Sequence, residues 1–385
     1  MSTFQKEEHD YGPRRVIERR GIPNYIKYFI VLSSLMLTGY VLIIASSVVS
    51  PLLAAFIVSL LLKPLSDRME RVRIPRSMSS FLSIAIVFVV IMGLSMFFSS
   101  QIANIASEMN MIETRFNKTI DQGSKWVEQT FNISPTEQVE YIKASLSKLL
   151  QNSSAIAGST ISATAGFFSS FFLFLLALFF FLYYRSFLVS FLYRVFSSKH
   201  HNKLGRTLKK MEGVVRNYIL GLFLVIAIIA VLNTIGLLSL GIEHAVFFGA
   251  LSAILTIIPY VGIMVGGLLP VVFALITKDS LWYPVGVILI FWVVQFLEGN
   301  FITPNIIGNQ VSVNPFAAIL GLFVGGMMMG AIGMIFAIPV LAIVKVICDS
   351  IESTQPIGYL IGSPPDDEHL YEKRRKRVKR IFRKG

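Results

Sequence analysis

Apolar residues run through this chain in blocks too long for the core of a soluble domain. No Asp, Glu, Lys or Arg occurs in 28–62, 77–107, 149–184, 217–242, 245–277, 280–297 or 299–344. A helix needs about 20 predominantly apolar residues to cross the hydrocarbon of a bilayer. Seven such blocks predict an all-α, polytopic integral membrane protein, because helices satisfy their own backbone groups in lipid. The first block follows the basic segment 1–27 and exceeds the apolar core of a signal peptide, so it reads as an uncleaved anchor.

Block lengths place the crossings. As one helix, 28–62 would measure roughly 50 Å and would leave the basic residues of 63–76 on the outer side. A break near Ser46, Ser47, Ser50 and Pro51 gives spans at 28–47 and 51–62. Further crossings are expected near 78–99, 158–184, 214–239, 245–277, 282–298 and 316–347, about eight transmembrane helices in all. Segment 100–155 reads as an extracytoplasmic helical hairpin. Ile102, Ile105, Met109, Ile112 and Phe116 recur on one face, and Ser134-Pro135-Thr136-Glu137 caps a second helix carrying Val139, Ile142, Leu146 and Leu149. Such stripes serve as packing surfaces, on each other or on a neighbouring subunit. The chain thus divides into a basic N-terminus (1–27), spans one to three (28–99), the hairpin (100–155) and span four (156–184). A basic amphipathic segment (185–213), spans five to eight with broken segments (214–348) and a basic tail (349–385) follow.

Two blocks cannot be continuous helices. Residues 299–344 would extend roughly 70 Å, and they contain Asn300, Asn305, Asn309 and Asn314 with Pro304, Pro315, Gly299 and Gly308. Proline denies the helix a donor, and Asn competes for backbone bonds. Irregular backbone at membrane depth is tolerated where it is buried in protein or lines a wet cavity. A second break is expected at Ile257-Ile258-Pro259-Tyr260-Val261-Gly262, followed by Gly266, Gly267 and Pro270. Gly321, Gly325, Gly326, Gly330 and Gly333, with Pro339 beyond them, suit close helix contact or hinging. Glu298 ends a charge-free run at the edge of the Asn-rich stretch. At mid-membrane a carboxylate costs about 3 kcal/mol and is kept for a role, whereas at the interface it merely anchors a helix.

Charge sets orientation. Composition is 54% hydrophobic with a mean hydropathy of +0.67 and a net charge of +13. Basic residues crowd into 1–27, 63–76, 185–216 and 373–384, whereas 108–148 is balanced. The positive-inside rule makes the basic segments, and so both termini, cytoplasmic in a bacterial inner membrane. The basic tail suits anionic lipid, and the helix with Phe187, Phe191 and Phe196 is expected to lie along the interface. No recognition motif or stacking-aromatic pattern accompanies the charge, so nucleic acid is not the expected partner. Cys348 is the single cysteine. The chain has no phosphate-binding loop, H-E-x-x-H, C-x-x-C or G-x-S-x-G, so neither an enzyme nor a cofactor or metal is expected.

The stretch Glu298-Gly-Asn-Phe-Ile-Thr-Pro304-Asn-Ile-Ile-Gly308-Asn-Gln-Val-Ser-Val-Asn-Pro315 resembles the signature of the autoinducer-2 exporter family, the PerM-like permeases. Ile258-Pro259-Tyr260-Val261-Gly262, Gly330-Ala-Ile-Gly333 through Pro339, and Pro51-Leu-Leu-Ala-Ala-Phe-Ile with Pro64 extend the similarity over nearly the whole chain. The resemblance implies a homo-oligomeric permease, with a pentamer as the expectation. It also implies export of small polar solutes such as autoinducer-2, while some members look like sodium- or lithium-for-proton antiporters. The expected substrate pathway comprises Pro259, Gly262, Glu298, Asn300, Pro304, Asn305, Gly308, Asn309 and Pro315, with a proton or alkali cation as the coupling ion. A non-transporting membrane scaffold, docking through 100–155 and the tail, is the alternative from another class.

Overall fold

The computed structural model describes residues 23–108, 168–258, 261–308 and 312–363, with a few isolated positions between 111 and 166. Most of the expected hairpin, the N-terminal basic segment, Pro259, Asn309 and the basic tail lie outside the described residues. Among those described, the structure is helical, apart from one antiparallel bridge between Val313 and Gly362. The chain separates into two compact units, Met1–Ile44 and Ala45–Gly385. The first contributes α1 (Asn24–Ile44), whose Thr38 hydroxyl donates to the Ser34 carbonyl at 2.7 Å. In lipid such a polar side chain is satisfied by its own helix.

In the second unit, α2 (Ser46–Arg71) and α3 (Arg76–Ser107) are longer than the sequence suggests. The break falls at Ala45, and α2 continues through Pro51 and Pro64, so 51–62 is not a short span and most of 63–71 is helical. Likewise 100–107 prolongs α3, and Ile102 and Ile105 belong to it rather than to a hairpin. Helix α4 (Phe168–Tyr183) bends by 66° into α5 (Arg185–Val195), none of whose residues is buried. Arg185 holds the bend. Its guanidinium, 13% exposed, donates to Asp67 at 2.6 Å, Glu70 at 2.7 Å and the Ser66 hydroxyl at 3.1 Å.

Helix α6 (His201–Ser239) is the axis of the remainder. Helix α7 (Ala245–Leu255) and α8 (Val261–Thr277) do not form one crossing. They fold back on each other. Phe248 meets Phe273 with ring centroids 5.0 Å apart, and a Cβ on Gly266 would lie 2.8 Å from the Ser252 Cα. Gly262 is tighter still, since its Cβ would strike the Leu255 carbonyl. The chain then runs through α9 (Trp282–Leu297), a π-helical turn (Glu298–Ile302) and α10 (Thr303–Ile306). The expected break at 299–315 is therefore narrower. Helical backbone continues to Ile306, because Pro304, which cannot donate to Asn300, is accommodated by the wider π turn.

Helix α11 (Pro315–Ser350) is also no single crossing. Gly330 adopts φ 60°, ψ −142°, conformations open to glycine, and reverses the chain. A Cβ on Gly325 would stand 2.5 Å from the Gly333 carbonyl and 3.5 Å from Ala337, while one on Gly321 would strike Leu341. In a straight helix Gly321 and Leu341 would be roughly 30 Å apart. The two ends meet again where the Asn314 N–H donates to the Ile361 carbonyl (2.9 Å) and the Ser363 N–H to that of Ser312 (3.2 Å). Helix α12 (Gln355–Ile361) closes the described part.

By length and composition alone five described helices, α11 among them, are long and apolar enough to cross a membrane, six if α4–α5 is one bent span. With α11 reversed at Gly330, four or five of these remain as single crossings. The expected 245–277 and 316–347 crossings each fold back as a helical hairpin, so the count of eight is not reached among the described residues. The hairpins enter from opposite ends. The α7–α8 base carries His244, which bonds Glu108 after α3 at 3.2 Å, and Thr277, whose carbonyl accepts from Arg115. At the other end Lys63 pairs with Glu212, and Thr207 bonds Ser350 at 2.9 Å.

Cysteines placed singly at Ser312 and Ser363 in a Cys348→Ser background should be labelled by an impermeant maleimide from the same side of sealed vesicles. Labelling from opposite sides would mean that α11 crosses. Gly333→Val should lower thermal stability by about 1–3 kcal/mol through overpacking, measured by unfolding in detergent. Gly93→Ala, which meets nothing within 4 Å, should not lower it.

Candidate functional site

Polar groups in apolar helices show where the fold can do chemistry. Asn233 is the lone amide in the inner turns of α6, 2% exposed. Its amide nitrogen donates to the Ser252 hydroxyl at 3.0 Å, and that hydroxyl donates onward to the Gly249 carbonyl at 3.0 Å. Since the serine proton is committed, the asparagine must present its NH2 there. Its oxygen, Oδ1, is buried and has no hydrogen-bond partner. A buried acceptor left unbonded costs about 1–3 kcal/mol.

Across from it, α9 ends at Glu298, where the π turn begins. The Glu298 carboxylate accepts from Thr303 Oγ1 at 2.7 Å and from the Gln295 amide. None of the ion pairs among the described residues involves Glu298. Its depth follows from the antiparallel packing of α9 on α6. Gly236 lies against Ile290 and Gly221 against Ile306, which puts Glu298 midway, at the middle of the charge-free stretch 217–242. Glu298 thus stands opposite an apolar part of α6 rather than one of its charged turns.

Between them lies a cavity of about 210 Å³, smaller than the roughly 300–1,000 Å³ typical of sites for drug-sized ligands. Asn233, Ser252 and Thr256 line it from α6 and α7; Gln295 and Glu298 line it from α9 and the π turn. Gly262 and Gly267 bring α8 close enough to form one wall, and Phe291 and Trp292 supply an aromatic side. The re-entrant turn of α7–α8 is thus part of the site. Among the described residues no group of three His, Cys, Asp or Glu is placed to hold a metal ion.

Comparison with known proteins fits this architecture. A family model described as AI-2E family transporter matches residues 32–353. The chain belongs to that family. YueF of Bacillus subtilis is 26% identical over 319 residues, covering 79% of this chain and 84% of YueF. MT0215 of Mycobacterium tuberculosis is 26% identical over 326 residues, covering 82% and 86%. YrrI of B. subtilis is 32% identical over a shorter stretch, 139 residues, or 36% of this chain and 39% of YrrI. The names of all three propose transport and state no substrate.

In this member of the family the sequence-expected residues are dispersed. Gly262 and Glu298 line the cavity. Asn300 and Asn305 instead donate to the carbonyls four residues back, of Phe296 and Phe301, at 2.9 and 2.8 Å, and are exposed. Pro304 sits in the first turn of α10, and a Cβ on Gly308 would come 2.5 Å from its carbonyl. Pro315 opens α11 behind the Asn314 cap, whose Oδ1 accepts from the Ala317 N–H at 2.8 Å. Gly321, Gly325, Gly326 and Gly333 line the contact of the α11 arms, Gly330 forms its turn and Pro339 is buried. Asn233, Ser252 and Gln295 were not singled out from sequence. The available signal was an amide alone in an apolar block, which needs a partner across helices.

Ser252→Ala removes the acceptor for the buried Asn233 NH2. It should destabilise the protein by about 1–3 kcal/mol, read from thermal unfolding in detergent, with less loss in the double variant Asn233→Leu/Ser252→Ala.

Proposed function

We propose that this cavity is the solute site of a secondary exporter or facilitator for a small polar solute, autoinducer-2-like molecules included. One observation carries the reading: a carboxylate in an apolar setting that has no cationic partner among the described residues, beside a buried amide oxygen that has no hydrogen-bond partner among them. Intramembrane ionisable groups are costly and mark solute or ion pathways. Both groups accept hydrogen bonds, and hydroxyl or amine donors of a solute would complete them. The α7–α8 turn forms part of the wall, so movement of that hairpin would open or close the site, as with discontinuous helices in other transporters. The end bearing 63–76 and 185–216 is assigned to the cytoplasm of a bacterial cell by its Lys and Arg excess.

Counterflow in proteoliposomes, screened over hydroxylated and amine-bearing metabolites, tests this. Glu298→Gln and Asn233→Leu should each reduce flux by tenfold or more while the protein remains folded by size-exclusion chromatography. Wild-type flux in both variants would remove the cavity from the route. The second reading, sodium- or lithium-for-proton antiport, draws on the same uncompensated carboxylate. It expects pH-dependent sodium or lithium exchange that disappears in Glu298→Gln, with no counterflow of neutral solutes.

A further inference from the structure

Hydroxyl donors would satisfy Asn233 Oδ1, yet they leave the negative charge of Glu298 uncompensated. In an apolar medium that charge is stable only when paired. Its hydrogen bonds come from Thr303 and Gln295, both neutral. Asp67, Glu70, Glu212 and Asp349 have Lys or Arg partners, whereas Glu298, like Glu243, Asp279 and Glu352 near helix ends, has none among the described residues. The cavity wall adds a second preference. Phe291 and Trp292 line it with apolar neighbours Ile229, Ile263 and Val294. Aromatic faces attract cations, more strongly when desolvated. A mostly apolar, partly aromatic lining with the Glu298 carboxylate at its edge matches a small organic cation with an apolar body.

We infer that the cavity takes a small primary organic ammonium ion, its N–H donors on Glu298 and, after a turn of the amide that brings the buried oxygen to the cavity, on Asn233 Oδ1, with its alkyl part against Phe291, Trp292 and Ile263. This rests on the reading of the cavity as the solute site and narrows it to a substrate class. A hydrated alkali ion would make no use of the aromatic wall, and a neutral diol would leave Glu298 without a counter-charge. The volume of about 210 Å³ suits a few-carbon amine.

The test uses full-length protein in nanodiscs, with Trp126→Phe and Trp282→Phe leaving Trp292 as the sole tryptophan. n-Butylammonium should change Trp292 fluorescence saturably, with an affinity at least tenfold above that of n-butanol. Glu298→Gln and Asn233→Leu should each weaken it by tenfold or more. Asn233→Asp, which adds negative charge at the same position, should tighten it. Equal affinity for butanol, displacement of the probe by sodium chloride more effective than by choline chloride at equal ionic strength, or affinity unchanged in Glu298→Gln and Asn233→Leu would each overturn the inference. If counterflow of another solute depends on Asn233 and Glu298 while butylammonium neither binds nor inhibits, the amine inference fails and the transport reading stands. If butylammonium binds as expected but flux ignores both residues, the transport reading fails and the amine site remains.

Discussion

Backbone N–H and C=O groups inside hydrocarbon find no water, so each must be bonded within the protein. This demand decides how the chain can turn round inside the membrane. The α7–α8 and α11 hairpins meet it by keeping both arms helical and confining the irregular backbone to a few residues. Arms so joined must touch almost backbone to backbone, and they do so where glycine removes the side chain: Gly262 against the Leu255 carbonyl, Gly266 against Ser252, and Gly325 against Gly333. Without these contacts each arm would have to splay or cross. The cavity wall formed by α8 follows from the chain turning back where it does.

The site inherits its character from this arrangement. Asn233 and Ser252 are held by packing of α7 on α6, with Ala253 buried against Val225 and Ile229. Glu298 is held by the π turn, whose extra residue per turn carries Thr303 into reach of the carboxylate. One side of the cavity is therefore rigid helix packing, and the other is a turn whose geometry depends on Pro304. A wide turn next to a proline is a place where helices in membranes deform at low energetic cost.

Much of the fold was legible from the apolar blocks, because helices in lipid must be long and charge-free. The crossings were not all legible. An apolar run of 36 residues has the same composition whether it crosses or returns, and only the positive φ at Gly330 distinguishes the two. Among five glycines of similar spacing, nothing in the sequence marks that one. The Asn-rich stretch is a different case. Asn300 and Asn305 need partners, but each finds one in the carbonyl four residues back, so their number says nothing of a shared site. Glu298 was legible as a carboxylate in an apolar setting, and its depth was not, since depth depends on which residues of α6 lie opposite α9. Asn233 passed unnoticed because Asn202, Asn217 and Asn233 are too widely spaced in α6 to make a pattern.

The reversal at Gly330 bears on how the protein is made. The arms of α11 are roughly 22 Å and 30 Å long, and the first is too short to span a hydrocarbon layer of about 30 Å unaided. A segment that cannot stand alone across the bilayer gains nothing from being released into lipid before its counterpart. Both arms must therefore enter as a pair, from the side on which Asn314 and Gly362 are joined, once α2 and α6 are there to receive them. Biogenesis of this chain ends with a folding step inside the membrane rather than with the last insertion event, and Gly330 is where that step is decided.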